Sequence, residues 1–448
     1  MVAAGPVTTV VGARPAQVSA ERISLGRFVA RAQQAGLLVV QPRMGLSNPA
    51  EMRAGLAATK RARATTVGTI TLDSYTRLGE HGSAREAMRS GVPLNGYPIV
   101  AHPVATTHAV LHRIRDENFP VQVRHGSALP QDIFAAMVQL GLDATEGGPV
   151  SYCLPYGRLP LRESVANWER CCQLLLELEE QGAEPHLETF GGCMMGQLCP
   201  PSLLVAISVL EALFFYQQGL RSVSLSYAQQ ANAQQDEHAL LALHRLAAEF
   251  VPHDADRHIV LYAYMGVYPR TEQGARRLLC EAARLASRTP VARLIVKTAA
   301  EAHRIPTVTE NVTALELAGD VASERHYRVP PAAGTDTEVY AEASTLVNAV
   351  LELSTDVGQA LRQAFSLGIL DVPYCLHPDN AGLSRSYLAA DGWLRWAGVG
   401  RMPLAGAADS QNSRRIGSTE LLAHLSYVAR RFDSGALGRA SVPEVSGG

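Results

Sequence analysis

From residue 36 onward this chain repeats one pattern, and that pattern limits its fold more than any other feature. A short β-branched or apolar run ends in a polar or glycine-rich turn, and a helical stretch follows. The runs are LLVVQP (37–42), TTVGTITL (65–72), YPIVAHP (97–103), PVQVRHG (120–126), PVSYCLP (149–155), PHLETFG (185–191), SVSLSY (222–227), HIVLYAYMG (258–266) and RLIVKT (293–298). Amphipathic stretches such as Glu163–Gln181 and Gly274–Arg288 lie between them. Strands that alternate with helices imply parallel β-α-β units. Nine runs for a single sheet predict an α/β fold, a closed (β/α)8 TIM barrel with one run extra; a doubly wound open sheet is the competing arrangement. No G-x-G-x-x-G follows the first run and no G-x-x-x-x-G-K-[ST] occurs, which removes support for the nucleotide-binding open sheets.

The rhythm divides the chain. Residues 1–35 are expected to form a leader and a first helix, and 36–335 the catalytic barrel. Residues 336–432 would be a C-terminal extension packed on the barrel, and 433–448 a flexible Gly/Ser-rich tail. The leader has no basic region before its apolar stretch, unlike a secretory signal. With 47% hydrophobic residues the chain has enough apolar material for one large core, and a net charge of -2 gives no bulk attraction to nucleic acid or membrane. The most apolar run, Leu203–Tyr216, is interrupted by Ser208 and Glu211 and is too short to cross a bilayer, so it is expected as a buried helix. Seven cysteines without a C-x-x-C argue against a disulfide framework or a zinc site and point to the reducing cytoplasm.

A β/α barrel carries its active site at the carboxyl ends of its strands. Arg43, Arg77, Arg124, His125, Tyr152, Tyr156, Glu188 and Lys297 all fall at or just beyond such ends, and Glu146 is expected in the TEGGP turn. Guanidinium groups bind carboxylates bidentately and keep their charge, so three arginines at one mouth form a receptor for a dicarboxylate. Glu146, beside glycines, can take a substrate ammonium group and serve as a base, and the tyrosines can donate to carboxylate oxygens. The competing reading is scattered structural ion pairs. No H-E-x-x-H, no His/Cys cluster with ligand spacing and no G-x-S-x-G occurs, so no metal ligand is assigned and a nucleophile mechanism has little support. Cys153 is the one cysteine near the expected mouth.

With these residues in place, the string EGGPVSYCLPYGRLPL (146–161) resembles the large subunit of glutamate mutase, also called methylaspartate mutase. QPRMG (41–45), DSYTR (73–77), LNGYP (94–98), QVRHG (122–126), LETFGG (187–192), MGVYP (265–269), VKTAAEAHRIPT (296–307), DVPY (371–374) and DNAG (379–382) extend the resemblance, in order, from about residue 36 to about 410. It implies that Arg43, Arg77 and Arg124 grip a glutamate, with His125 beside it. It further implies that Glu146 handles the amino group as the catalytic carboxylate, and that Tyr152 and Tyr156 complete the substrate site. Gly45, Asn95, Pro155, Tyr268, Lys297, Glu301 and Ile305 match positions that line the adenosylcobalamin face, with Lys297 and Glu301 at the adenosyl ribose.

The activity implied is a radical carbon-skeleton isomerisation between L-glutamate and (2S,3S)-3-methylaspartate. The family's cobalt-ligating D-x-H-x-x-G lies on a small subunit. Here Asp236-x-His238 and Asp256-x-His258 start that spacing, but leucine stands where the glycine belongs. A separate small cobalamin-binding partner of flavodoxin-like fold is therefore implied, with a homodimer of large subunits. Three departures stand out: a shorter segment before QPR, a different GGCMMGQLCPP (191–201), and a shortened spacing between DSYTR and LNGYP. The alternatives are a cobalamin mutase for another acidic amino acid, a non-catalytic amino-acid-binding paralogue, and a cofactor-independent barrel lyase or isomerase.

Overall fold

A computed structural model describes residues 23–155, 157–191, 198–324, 336–408 and 416–437, the last without the side chains of 435–437. Eight strands lie at its centre: β1 (Val39–Gln41), β2 (Gly68–Thr71), β3 (Val121–Arg124), β4 (Ala144–Gly147), β5 (His186–Thr189), β6 (Ser222–Ala228), β7 (Asp256–Tyr262) and β8 (Val291–Ile295). Each pairs in parallel with its successor from β2 to β8, and β8 pairs with β1. A parallel bridge between Val40 and Thr66 closes the ring on the remaining side, where Val40 N donates to Thr65 O at 2.9 Å. This is the expected α/β barrel.

Helices on the outside hold the strands in place. Pro49–Lys60 starts on Asn48, whose side chain accepts from Ala50 N and Glu51 N, with proline at the first helical position, where a missing N–H costs nothing. Pro201–Gln217 is the anticipated buried helix, apolar nearly all round because it is covered on both sides. The barrel packs against it from within. Two further helices, Glu338–Leu351 and Val357–Leu367, cover it from outside. Helix Leu25–Gln34 crosses the amino ends of the strands. A side chain at Gly26 would overlap the Asp256 carboxylate and the Ser222 hydroxyl, so the approach requires glycine. The antiparallel pair β9 (Ser384–Leu388) and β10 (Leu394–Val399) packs beside helix Ala233–Phe250, where Gln235 exchanges two hydrogen bonds with the Leu394 backbone. A last helix, Tyr427–Leu437, continues past residue 432; in it, Asp433 accepts from Arg270 N and Thr271 N. No helix among the described residues is long and apolar enough to cross a membrane.

Three elements differ from the pattern-based expectation. YPIVAHP is a turn: Pro98 and Pro103 lack amide donors, and Ala101 N and His102 N both bond back to Pro98 O. PVSYCLP is also a turn, with Leu154 N on Val150 O at 3.0 Å. The strand missing from the pattern is β4, whose sequence Ala-Thr-Glu-Gly has little β propensity. Tertiary pairing makes it a strand: Ala144 to Gly147 lie in register with His186 to Thr189.

The barrel interior explains why alternation was weak there. Polar side chains fill it. Gln41 donates to Thr69 Oγ1 (2.9 Å) and Gln122 Oε1 (2.7 Å), and Gln122 donates to Glu188 at 3.1 Å. Arg293, fully buried, pairs with Glu188 and also reaches Gln41, Gln122 and Ser224. Buried charges persist only when paired and hydrogen-bonded, and this network supplies both.

Candidate active site

The loops at the carboxyl ends of β1, β2, β3, β4 and β8 bring the expected polar residues to one mouth. Arg124, the last residue of β3, donates from Nε to Glu146 Oε2 at 2.7 Å, with side-chain exposures of only 4% and 3%. Glu146 lies within β4, not in the turn where the sequence placed it, because β4 runs through Gly147. Tyr152 sits in the turn that follows and donates to Glu146 Oε1 at 2.6 Å. Tyr262, at the end of β7, donates to Glu146 Oε2 at 2.7 Å and also contacts Glu188. Burial alone would raise the Glu146 carboxyl, but Arg124 and the two phenols outweigh it and hold it below the ordinary carboxylate value. The carboxylate is therefore charged, and its pairing is built in before any ligand arrives.

His125 follows Arg124. Burial pushes its imidazole down to about 4, against the pull of Glu146 and with Arg124 and Arg77 adding to the fall, so it is neutral at pH 7. Its Nδ1 accepts from Ser127 N at 3.1 Å, which places the proton on Nε2. That Nε2 is buried and has no hydrogen-bond partner among the described residues. The ring is wedged between Tyr152 and Trp168, with centroids 5.1 and 6.1 Å away.

Arg77 ends a one-turn helix (Ser74–Arg77) capped by Asp73, which accepts from Thr76 N at 3.1 Å. Among the described residues it has no carboxylate partner: its NH2 donates to Ser74 Oγ at 3.2 Å and its buried Nε to nothing. A Cβ on Gly126 would lie 3.8 Å from the Arg77 guanidinium, so the DSYTR and RHG loops lie side by side. Asn95 braces the same turn, accepting from Ser74 N at 2.9 Å and donating to Ser74 Oγ.

Across the mouth, Arg43 NH1 meets Glu301 Oε2 at 3.0 Å, with exposures of 29% and 15%. Glu301 also accepts from Thr298 N at 3.0 Å, which fixes the short turn after β8. Lys297 lies over the Tyr268 ring, 4.2 Å from its centroid. Burial pushes its ammonium down to about 8; Glu301 opposes the shift and Arg43 adds to it. A cavity of about 460 Å³ opens beside this group, lined by Arg43, Gly45, Asn95, Glu301 and Ile305 among others. Gly45 is required there, since a Cβ would stand 2.1 Å from Thr71 O.

Two sequence assignments are not gathered here. Pro155 lines a separate cavity of about 420 Å³ with Arg158, Tyr374 and His377. Tyr156 lies outside the described residues. Cys153 is buried, its Sγ 3.7 Å from His377 Nε2, and burial raises its thiol to about 11, which leaves it unreactive at neutral pH.

Pattern reasoning missed two groups. Tyr262 lies in an apolar run and gave no signal. Glu211 had one: it is the acid inside the most apolar helix. It accepts from Val150 N, Ser151 N, Phe190 N and Ser151 Oγ, and so fixes the loop that carries Tyr152. A Cβ on Gly148 would overlap its carboxylate.

The family model described as methylaspartate mutase E chain matches residues 20–420. A glutamate mutase epsilon subunit from Halobacterium salinarum is 31% identical over 358 residues, 78% of this chain and 74% of the relative. Subunits of the same name from Yersinia enterocolitica and Escherichia coli O157:H7 are each 29% identical; the first alignment covers 88% of this chain and 84% of the relative, the second 75% and 72%. The match spans the barrel and every site residue named above, and this chain belongs to the methylaspartate mutase E chain family, a family of mutases.

Proposed function

We propose that this chain is the large, substrate-holding subunit of an adenosylcobalamin-dependent isomerase that interconverts L-glutamate and (2S,3S)-3-methylaspartate. It works in the cytoplasm with a small cobalamin-binding subunit and as a dimer of large subunits. One observation supports the reading: Arg43, Arg77 and Arg124 follow or end the neighbouring strands β1, β2 and β3 at the carboxyl end of a single barrel, and Arg124 is paired there with Glu146. Arg43, Arg77 and Arg124 bind the two carboxylates, and Glu146 takes the ammonium group. The charges fit. Three guanidiniums face Glu146 and Glu301, an excess of one positive charge before Lys297 is counted, and glutamate brings a single net negative charge.

The chain's residues also fit a nucleoside-sized group at the cavity beside Arg43. Glu301 supplies an acceptor for ribose hydroxyls and the backbone at Gly45 a wall with no side chain, while Lys297, close to Glu301 and Arg43, offers a cation from the neighbouring cavity of about 410 Å³. Gly45, Asn95, Tyr268, Lys297, Glu301 and Ile305 would hold the adenosyl part, with Pro155 at the periphery. Bound there, adenosylcobalamin would supply the radical chemistry that the isomerisation needs. The protein supplies orientation and protection. The arginines hold both carboxylates so that the migrating fragment stays in place, the neutral His125 offers its Nε2–H to a substrate oxygen, and the barrel excludes water. Glu146 holds the ammonium group through its charge and can accept a proton from the amino nitrogen.

The test is turnover. The purified chain is mixed with adenosylcobalamin, a small cobalamin-binding subunit and L-glutamate, and 3-methylaspartate is followed by coupled deamination to mesaconate. Product that needs both proteins and the cofactor, and that falls steeply with Arg124→Ala, supports the proposal. No product with any such partner, despite retained glutamate binding, overturns it in favour of a binding paralogue.

A further inference from the structure

Arg43 and Arg124 are both paired with carboxylates, yet the two pairs are built differently. The Arg124–Glu146 pair is sealed, and Tyr152 and Tyr262 occupy the remaining faces of the carboxylate. The Arg43–Glu301 pair is partly exposed, and the Arg43 Nε is left without a partner among the described residues. Arg43 follows β1 and Glu301 follows β8, and these strands are neighbours, with Gln41 opposite Ile295. The pair therefore bridges two adjacent loops, and both residues line the same cavity of about 460 Å³.

Resting on the function proposed above, we infer that Arg43 is shared between two sites and links their occupancy. With the mouth empty, Arg43 holds Glu301 and occupies its Oε2. A substrate carboxylate offers Arg43 a bidentate partner and draws it away. Glu301 keeps Thr298 N on Oε1, so its backbone turn stays in place, and the freed Oε2 accepts from a hydroxyl of a nucleoside in the adjoining cavity. Each ligand thus removes a competitor of the other. By linkage the coupling is reciprocal: whatever factor the amino acid gives the nucleoside, the nucleoside gives back.

The experiment is isothermal titration calorimetry on the full chain alone, with L-glutamate and 5′-deoxyadenosine as probes, each titrated with and without the other. The wild type is expected to bind each probe on the order of tenfold more tightly when the other is saturating. In Glu301→Gln, L-glutamate alone is expected to bind more tightly than in the wild type, and the mutual enhancement to vanish. Loss of a nearby negative charge would also tighten glutamate, but it would create no linkage to a neutral nucleoside. Independent binding in the wild type overturns the inference, as does linkage that survives in Glu301→Gln or failure of the nucleoside to bind at all. Glu301→Asp, too short to reach Arg43, is expected to lose linkage likewise and serves if Glu301→Gln does not fold. A wild-type chain that binds no L-glutamate overturns the proposed function as well; one that binds it without linkage overturns only this inference.

Discussion

The two sides of the mouth are built on opposite principles. Around Glu146, both carboxylate oxygens are hydrogen-bonded, the pair is buried, and the partners come from β3, β7 and the turn after β4, all on the rigid barrel. Around Arg43, the ion pair is half-open, its residues sit on loops past β1 and β8, and among the described residues the buried donors at Arg43 Nε and Tyr268 OH are left unused. The first side is preorganised and would bind without rearrangement. The second has spare hydrogen-bonding capacity and a neighbouring cavity, and can change partners. Under the proposed function such a division would serve a site that holds a reactive species out of water, the rigid half fixing the substrate and the adaptable half responding to it.

That contrast is breakable. The largest effect is expected from Arg124→Ala, which leaves Glu146 charged and buried without its cation. Stability measured by urea unfolding should fall by about 3–5 kcal/mol, and glutamate binding should be lost with it. Arg43→Ala, on the open side, should weaken L-glutamate by about 1.5–3 kcal/mol in calorimetry while thermal unfolding moves little, because its ion pair is partly exposed. If both variants cost equal stability, the two halves are not different in kind.

A third prediction concerns the support behind the rigid half. Burial holds the Glu211 carboxyl up at about 7, above its ordinary value of roughly 4.3. A raised folded-state value stabilises fully at pH below the ordinary value, and the contribution is lost as pH rises through about 7. The stability gap between wild type and Glu211→Gln, which cannot ionise, should therefore shrink by about 1–3 kcal/mol between pH 5 and pH 8. A gap that widens over that range would contradict the assignment. The smallest effect is expected from Asn95→Ala, which loosens the turn carrying Arg77: glutamate affinity should fall by less than about 1 kcal/mol with the fold intact.

Much of this arrangement was legible in the sequence, for identifiable reasons. Arg43, Arg77 and Arg124 interrupt or follow apolar runs, and a charge at the end of a buried strand is conspicuous. The barrel itself followed from the alternation of runs and helices. β4 was not legible, because its Thr145 and Glu146 serve a polar interior that no two-residue apolar alternation reveals. Tyr262 was hidden for the converse reason: a tyrosine in an apolar strand looks like core, and its hydroxyl gains meaning only when the barrel brings it to Glu146, 116 residues away in sequence. The Arg43–Glu301 pair joins residues 258 apart and depends on β8 closing against β1. Local pattern found the charged groups; only ring closure determined which of them meet.

The most direct test of the account is to compare L-glutamate with L-glutamine on the wild-type chain. The two differ only in whether the side chain brings a charged carboxylate to the arginines. The three-arginine clamp predicts that L-glutamate binds and that L-glutamine binds at least about thirtyfold more weakly, the loss of charge-assisted hydrogen bonds at a partly buried site. Equal affinity for the two would mean that the arginines are structural ion pairs, and the dicarboxylate receptor would be wrong.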